Sequence, residues 1–211
     1  MTDSARIPRT HRVILVRHAQ SLVDQTRHPA EWHLAGEGRA AARRLAALGL
    51  FDQVAGFYAG PEPKLVHTLA PVAEARGQQV APEPDFAETR SEGWLDADAF
   101  LATVRRFFAA PDRPPARGWE SASAAAGRFA AGVERLQARH GPAIYRGHAL
   151  PGTFAIATGG RMLAAYLAGL FHYTPEQAFD FWRRLRFPDL AVIELSATAP
   201  PRLVIPFGTL A

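Results

Sequence analysis

The sequence predicts a single-domain three-layer α/β/α sandwich, with a mostly parallel central sheet and helices on both faces. Short aliphatic runs bounded by turn residues alternate with longer amphipathic segments along the chain, the pattern of strands joined by helical crossovers. The 211 residues suffice for one α/β core and are few for two. No internal repeat or long low-complexity tract divides the chain, so residues 1–211 read as one domain behind a flexible tail at 1–11.

The elements follow in order. Val13–Val16 is a continuous aliphatic run and reads as a buried strand that ends on Arg17 and His18. Residues 36–48 predict a helix with Ala41, Leu45 and Leu48 on one face, and 54–60 a strand closed by Gly60-Pro61. Residues 63–76 predict a helix stopped by Gly77. The prolines of "APEPDF" keep residues 81–86 extended. Residues 95–109 read as helix and "APDRPPARG" as loop. A longer helix spans 121–140, with Ala125, Phe129, Val133 and Leu136 on its stripe. Residues 141–153 read as a loop and "TFAIAT" as a strand. Helices follow at 161–171, with Leu163, Tyr166, Leu167 and Leu170 inward, and at 175–184. "LAVIEL" and "RLVIP" close the chain as a hairpin across "SATAPP".

Composition narrows the chemistry. The chain has no cysteine, which excludes disulfides, thiolate metal sites and a cysteine nucleophile. It is 48% hydrophobic and 21% charged, ordinary for a soluble protein. The amino-terminal residues show no signal-peptide pattern, and the apolar run "MLAAYLAGLF" is too short to cross a bilayer. A cytoplasmic protein without a membrane partner is the expectation. The net charge of +4 comes from arginines scattered at helix-like spacing, with no basic block and no interleaved aromatics. Nucleic acid is therefore not the expected partner. Lys64 is the sole lysine among 24 basic residues.

In open α/β sheets, ligands sit beyond the carboxyl ends of the strands. There the chain carries Arg17-His18-Ala19-Gln20-Ser21, then Leu34-Ala35-Gly36-Glu37-Gly38. Together these stretches resemble the opening signature of the histidine phosphatase superfamily, the phosphoglycerate-mutase-like enzymes, with Ala19 where the family has glycine. The resemblance continues through "YAGPEPKLVHTLAPVA", where Lys64 and Thr68 match the family's cation and threonine. In "FAETRSEG", Glu88 matches the family's acid, and Glu92 is the competing choice. Glu120, in "GWESASAAAGRF", is expected to cap or orient the helix that follows.

The resemblance implies a phosphohistidine at His18, phosphate held by Arg17, Ser21 and Lys64, and a leaving group protonated by Glu88. A neutral imidazole can attack phosphorus and leave again. An arginine fork and a compact lysine charge suit the equatorial oxygens. No metal or other cofactor is implied, and the expected partner is a small phosphorylated substrate. No long insertions of the mutase branch occur, which favours a phosphatase by analogy.

The family's second histidine follows a late strand. Here "TFAIATGGRM" supplies the strand, Thr158 and Gly160, with Gly159 at the histidine's place. His148, on the loop upstream, is the candidate to replace it, against a plain solvated histidine. The alternative to an enzyme is a binder of a phosphorylated ligand with little or no turnover. Residues 88–119 are the expected lid, whose Trp94, Phe100, Phe107 and Phe108 read equally as core or as substrate-facing. His33, beside Trp32, could line the pocket mouth. His67 and His172 have no motif support.

Overall fold

The aliphatic run around Val13–Val16 forms the middle of β1 (Thr10–Arg17), near the centre of the sheet. The computed structural model describes residues 10–141, 143–145 and 148–209; the side chains of 143–145, 148 and 149 lie outside that description. After β1 come α1 (Gly36–Leu45), β2 (Phe57–Ala59), α2 (Pro63–Glu74) and β3 (Val80–Pro82). Next are α3 (Ala97–Ala109), α4 (Ala122–Arg139), β4 (Ala143–Tyr145) and β5 (His148–Leu150). The chain continues through β6 (Gly152–Thr158), α5 (Gly160–Phe171), α6 (Pro175–Arg184), β7 (Asp189–Ser196) and β8 (Arg202–Ile205).

The sheet order is β3-β2-β6-β1-β7-β8. The first four strands are parallel, while β7 runs antiparallel to β1, and β8 to β7. Parallel strands covered on both faces carry unbroken apolar runs, and β1 divides its run by the two-residue period of a strand. Val13 and Leu15 enter the cluster with Phe129 of α4 and Leu163 and Leu167 of α5. Ile14 and Val16 face Leu45 of α1 and Leu65 and Leu69 of α2. Burying each such side chain contributes about 1.5–3 kcal/mol, so reversing the faces of β1 would forfeit both clusters at once. A third cluster joins α3, α5 and α6 through Phe107, Phe108, Ala164 and Phe179.

Local chemistry sets the helix starts. Asp96, Ser121 and Thr174 each accept a hydrogen bond from a first-turn backbone N–H, and Thr174 forms a capping box with Gln177. α5 differs. Its N-cap is Gly159, which offers no side chain, so its first N–H groups open at the carboxyl end of β6.

Three expectations change. β1 begins at Thr10, so residues 10 and 11 of the expected tail belong to the sheet, and residues 1–9 lie outside the described residues. The expected loop at 141–153 contains the antiparallel β4–β5 ladder, which is too short to leave an apolar period in sequence. The extended 81–86 stretch divides into the end of β3 and a 3₁₀ turn at Pro84–Phe86.

Candidate active site

β1 delivers Arg17 and His18 to the carboxyl edge of the sheet, where the His18 N–H donates to Thr158 O of neighbouring β6 at 3.2 Å. The loop then packs tightly under α1: a β-carbon at residue 38 would collide with the Gln20 carbonyl, so Gly38 permits the approach. Ala19 is fully buried between Leu34 and Ala42, and its N–H donates to Thr68 Oγ1 at 2.9 Å. Thr68 in turn donates to the Lys64 carbonyl at 2.7 Å, which locks the first turn of α2 to the histidine loop.

His18 Nδ1 lies 2.8 Å from Ala19 O. A carbonyl only accepts, so Nδ1 carries the hydrogen and Nε2 faces the cavity. Ser21 Oγ is 3.5 Å from the same Nδ1, beside the histidine and on the cavity wall. Arg17 donates to Leu185 O, and its guanidinium carbon stacks 3.5 Å from the Phe187 ring centre. Burial pulls its pKa down to about 10 against the attraction of Glu88 and Asp189, so it is charged at neutral pH. Its Nε is buried without a partner.

Opposite His18 stands Glu88. Its Oε1 lies 3.2 Å from His18 Nε2 and its Oε2 2.6 Å from Lys64 Nζ. Lys64 is 2% exposed and also donates to Pro29 O at 2.8 Å. Burial pushes the Glu88 pKa up, but Lys64 and His18 outweigh it and hold the carboxyl below the ordinary carboxylate range. Glu88 is thus ionised in the ligand-free site. Glu62 Oε1 accepts from the Glu88 N–H at 2.9 Å, and burial followed by repulsion from Glu88 raises the Glu62 pKa.

Gly159 explains how Glu88 fits. A β-carbon there would collide with Glu88 Oε1 and lie 2.7 Å from its Cγ and 2.9 Å from its Cδ. The carboxylate therefore occupies the volume that a side chain at 159 would need. Gly160 plays the same part for Arg17, whose Nε would be 2.9 Å from a β-carbon at 160.

These residues line a cavity of about 420 Å³ whose walls also carry the aromatic rings of Trp32, Trp94, Phe100, Trp119, Trp182 and Phe187. The structure thus brings Arg17, His18, Ser21, Lys64 and Glu88 together. Glu88 lines the cavity, whereas Glu92 is exposed and does not. Of the aromatics in residues 88–119 named above, Trp94 and Phe100 line the cavity, whereas Phe107 and Phe108 are core. His33 stacks on His67 at 5.7 Å and lines a different cavity with Arg39 and Glu74.

His148 opens β5 (His148–Leu150). β5 leads into β6 at Gly152, which pairs with His11; six register steps separate that end from the Thr158–Arg17 pair, about 20 Å at roughly 3.3 Å per residue. The backbone thus enters β6 at the amino edge, the opposite end from His18. The side chain of His148 lies outside the described residues.

Two arginines went unread in the sequence. Arg128 on α4 donates to the carbonyls of Pro84, Asp85, Ala87 and Glu88, clamping the segment that carries the carboxylate. Buried Glu120 holds Arg128 through bonds of 3.2 and 2.9 Å and accepts from the Arg90 N–H. It orients this clamp, while Ser121 caps the helix. Arg161 lines the cavity from the first turn of α5. A cation at a helix N-terminus opposes the macrodipole, and that misplacement is the signal by which sequence could have found it.

The model of the histidine phosphatase superfamily (branch 1) matches residues 13–198. The chain belongs to the histidine phosphatase superfamily. Solved structures share its fold at low identity. A mycobacterial glucosyl-3-phosphoglycerate phosphatase is 18% identical with a TM-score of 0.74, covering 93% of this chain and 98% of its own. YhfR of Bacillus stearothermophilus is 18% identical with a TM-score of 0.70, covering 92% and 96%. A phosphoserine phosphatase mutant from Entamoeba histolytica, in complex with phosphoserine, is 14% identical with a TM-score of 0.66, covering 94% and 97%. No curated protein sequence matches. Among the described residues no helix is long and apolar enough to cross a membrane.

Proposed function

We propose that the chain is a phosphomonoesterase that hydrolyses a small phosphorylated metabolite through a phosphohistidine at His18. The observation that carries the reading is the convergence of His18 Nε2, Lys64 Nζ and the Glu88 carboxylate within 3.2 Å contacts, in one cavity with Arg17. Superfamily membership and phosphatases among the structural neighbours support the reaction class.

In the ligand-free site Glu88 occupies the anion position. An incoming phosphoryl group takes over Lys64, meets Arg17, and finds the open N–H groups of α5. Glu88, deprived of Lys64 and placed beside a like charge, then becomes a stronger base. A proton held between His18 Nε2 and Glu88 Oε1 moves to the carboxylate. One transfer prepares both partners: a neutral imidazole to attack phosphorus and a carboxylic acid to protonate the departing alkoxide. In the second half, Glu88 takes a proton from water, which attacks the phosphohistidine and releases inorganic phosphate.

The same carboxylate favours one other reading, a protein that holds a phosphorylated ligand without turnover. A resident anion between Lys64 and His18, and no side chain at Gly159, weaken the hold on a transferring phosphoryl group. Steady-state hydrolysis of an aryl phosphate separates the two. The enzyme reading expects turnover by the wild type, a phosphoenzyme on rapid quench, and loss of both in His18→Ala. Binding of inorganic phosphate without hydrolysis by either protein selects the binder.

A further inference from the structure

Arg161 carries a charge that the proposed reaction does not use. Its guanidinium crosses the cavity wall, donating from Nη2 to Ser91 Oγ at 3.2 Å and Thr89 O at 3.4 Å. Its guanidinium carbon lies 4.5 Å over the Trp119 ring and 5.5 Å over Phe100. Nη1 is buried with no hydrogen-bond partner. Among the described residues no carboxylate lies within ion-pair distance of it. Glu88 is engaged by Lys64 and His18, and Glu120 by Arg128 and Arg90. Burial depresses the Arg161 pKa to about 10, with Glu88 and Glu120 attracting only from a distance. A partly buried guanidinium with no ion-pair partner, one nitrogen lacking a hydrogen bond, and the dipole of its own helix against it is unfavourable in the empty protein. A ligand anion would relieve all three penalties.

Position and charge indicate which anion. Arg161 follows Gly160, whose backbone abuts Arg17, so it adjoins the phosphate site. It is tied to Thr89 and Ser91, immediately beyond Glu88, on the side where the acid would serve the leaving oxygen. Arg17 and Lys64 balance a phosphoryl dianion once Glu88 is protonated, which leaves one positive charge for one further negative charge. We propose that Arg161 binds a carboxylate on the leaving group, so that the preferred substrates are phosphate monoesters of hydroxy acids. The proposal rests on the phosphomonoesterase reading for the location of the phosphoryl group. The aromatic floor under the guanidinium excludes water and strengthens such a pair, and a planar fork suits a carboxylate.

The test uses phosphonates, whose carbon–phosphorus bond keeps binding separate from turnover. Calorimetry compares 4-carboxybenzylphosphonate with benzylphosphonate on the wild type, Arg161→Gln and Arg161→Lys. The expected result is a preference of about tenfold or more for the carboxylated ligand in the wild type, one ion pair's worth of discrimination. It should fall to less than about twofold in Arg161→Gln and survive in part in Arg161→Lys. A wild-type ratio near one overturns the proposal, whether or not the variants fold. So does Arg161→Gln that keeps the ratio, or that weakens both ligands equally, since Arg161 would then serve the phosphoryl group. If both phosphonates bind with the expected ratio while no aryl phosphate is hydrolysed, the carboxylate site stands and the enzyme reading falls.

Discussion

Glu88→Gln tests the central feature of the site, a carboxylate standing in the anion position. The substitution keeps the shape and removes the charge from Lys64, 2.6 Å away and 2% exposed, and from His18, 3.2 Å away. Removing one partner of a buried pair costs about 3–5 kcal/mol. The glutamine oxygen still accepts from Lys64, and the repulsion that raises the Glu62 pKa is relieved. A net loss of about 2 kcal/mol remains, equivalent to a melting temperature lower by about 4–8 °C in a domain of this size. Phosphate reverses the sign, because no carboxylate then competes for Lys64. Inorganic phosphate should bind about tenfold more tightly to Glu88→Gln than to wild type, a difference of about 1.4 kcal/mol. Hydrolysis of an alkyl phosphate, which needs the acid, should fall by about 10²–10⁴. Thermal melts with and without phosphate, beside steady-state kinetics, give the three numbers. A phosphate-free melting temperature equal to or above wild type, together with weaker phosphate binding, would refute the reasoning.

The same pair predicts a pH dependence. Because the Glu88 pKa is depressed in the folded state, its stabilisation is present above the ordinary carboxylate value, about 4.3, and is lost as pH falls through the folded value. The melting-temperature gap between wild type and Glu88→Gln should be full at neutral pH and narrow below about pH 4. Gly159→Ala places a β-carbon against Glu88; the carboxylate must turn away, at about 1–3 kcal/mol of strain. Turnover of an alkyl phosphate should drop at least about tenfold, and an unchanged rate would show that Glu88 is not held by the bare backbone at 159. Gly160→Ala puts a β-carbon 2.9 Å from Arg17 Nε and 3.1 Å from its Cζ. By displacing the fork it should weaken inorganic phosphate about tenfold in calorimetry.

The layered fold was legible because its signals are local. Four aliphatics in a row between polar residues mark β1, and an apolar stripe such as Ala125, Phe129, Val133 and Leu136 marks α4. Arg17, His18, Lys64 and Glu88 were readable because each sits in a motif of its own, at a strand end, a helix start and an irregular segment. The sequence by itself therefore determined the order of the helices and of the main-sheet strands, the sheet edge on which Arg17 and His18 fall, and the candidate nucleophile, but not the β4–β5 ladder. Tertiary structure decided the rest, because convergence depends on register and packing between distant segments. It put Glu88 in the cavity and left Glu92 outside it, set the Glu88 carboxylate where a β-carbon at 159 would lie, and brought the chain into β6 at the opposite end from His18. It also drew Arg128 and Arg161 into the site. No pattern along the chain specifies that a guanidinium on α5 ends over Trp119 with a nitrogen unpaired; that follows from two helices and a loop closing over the same strand end.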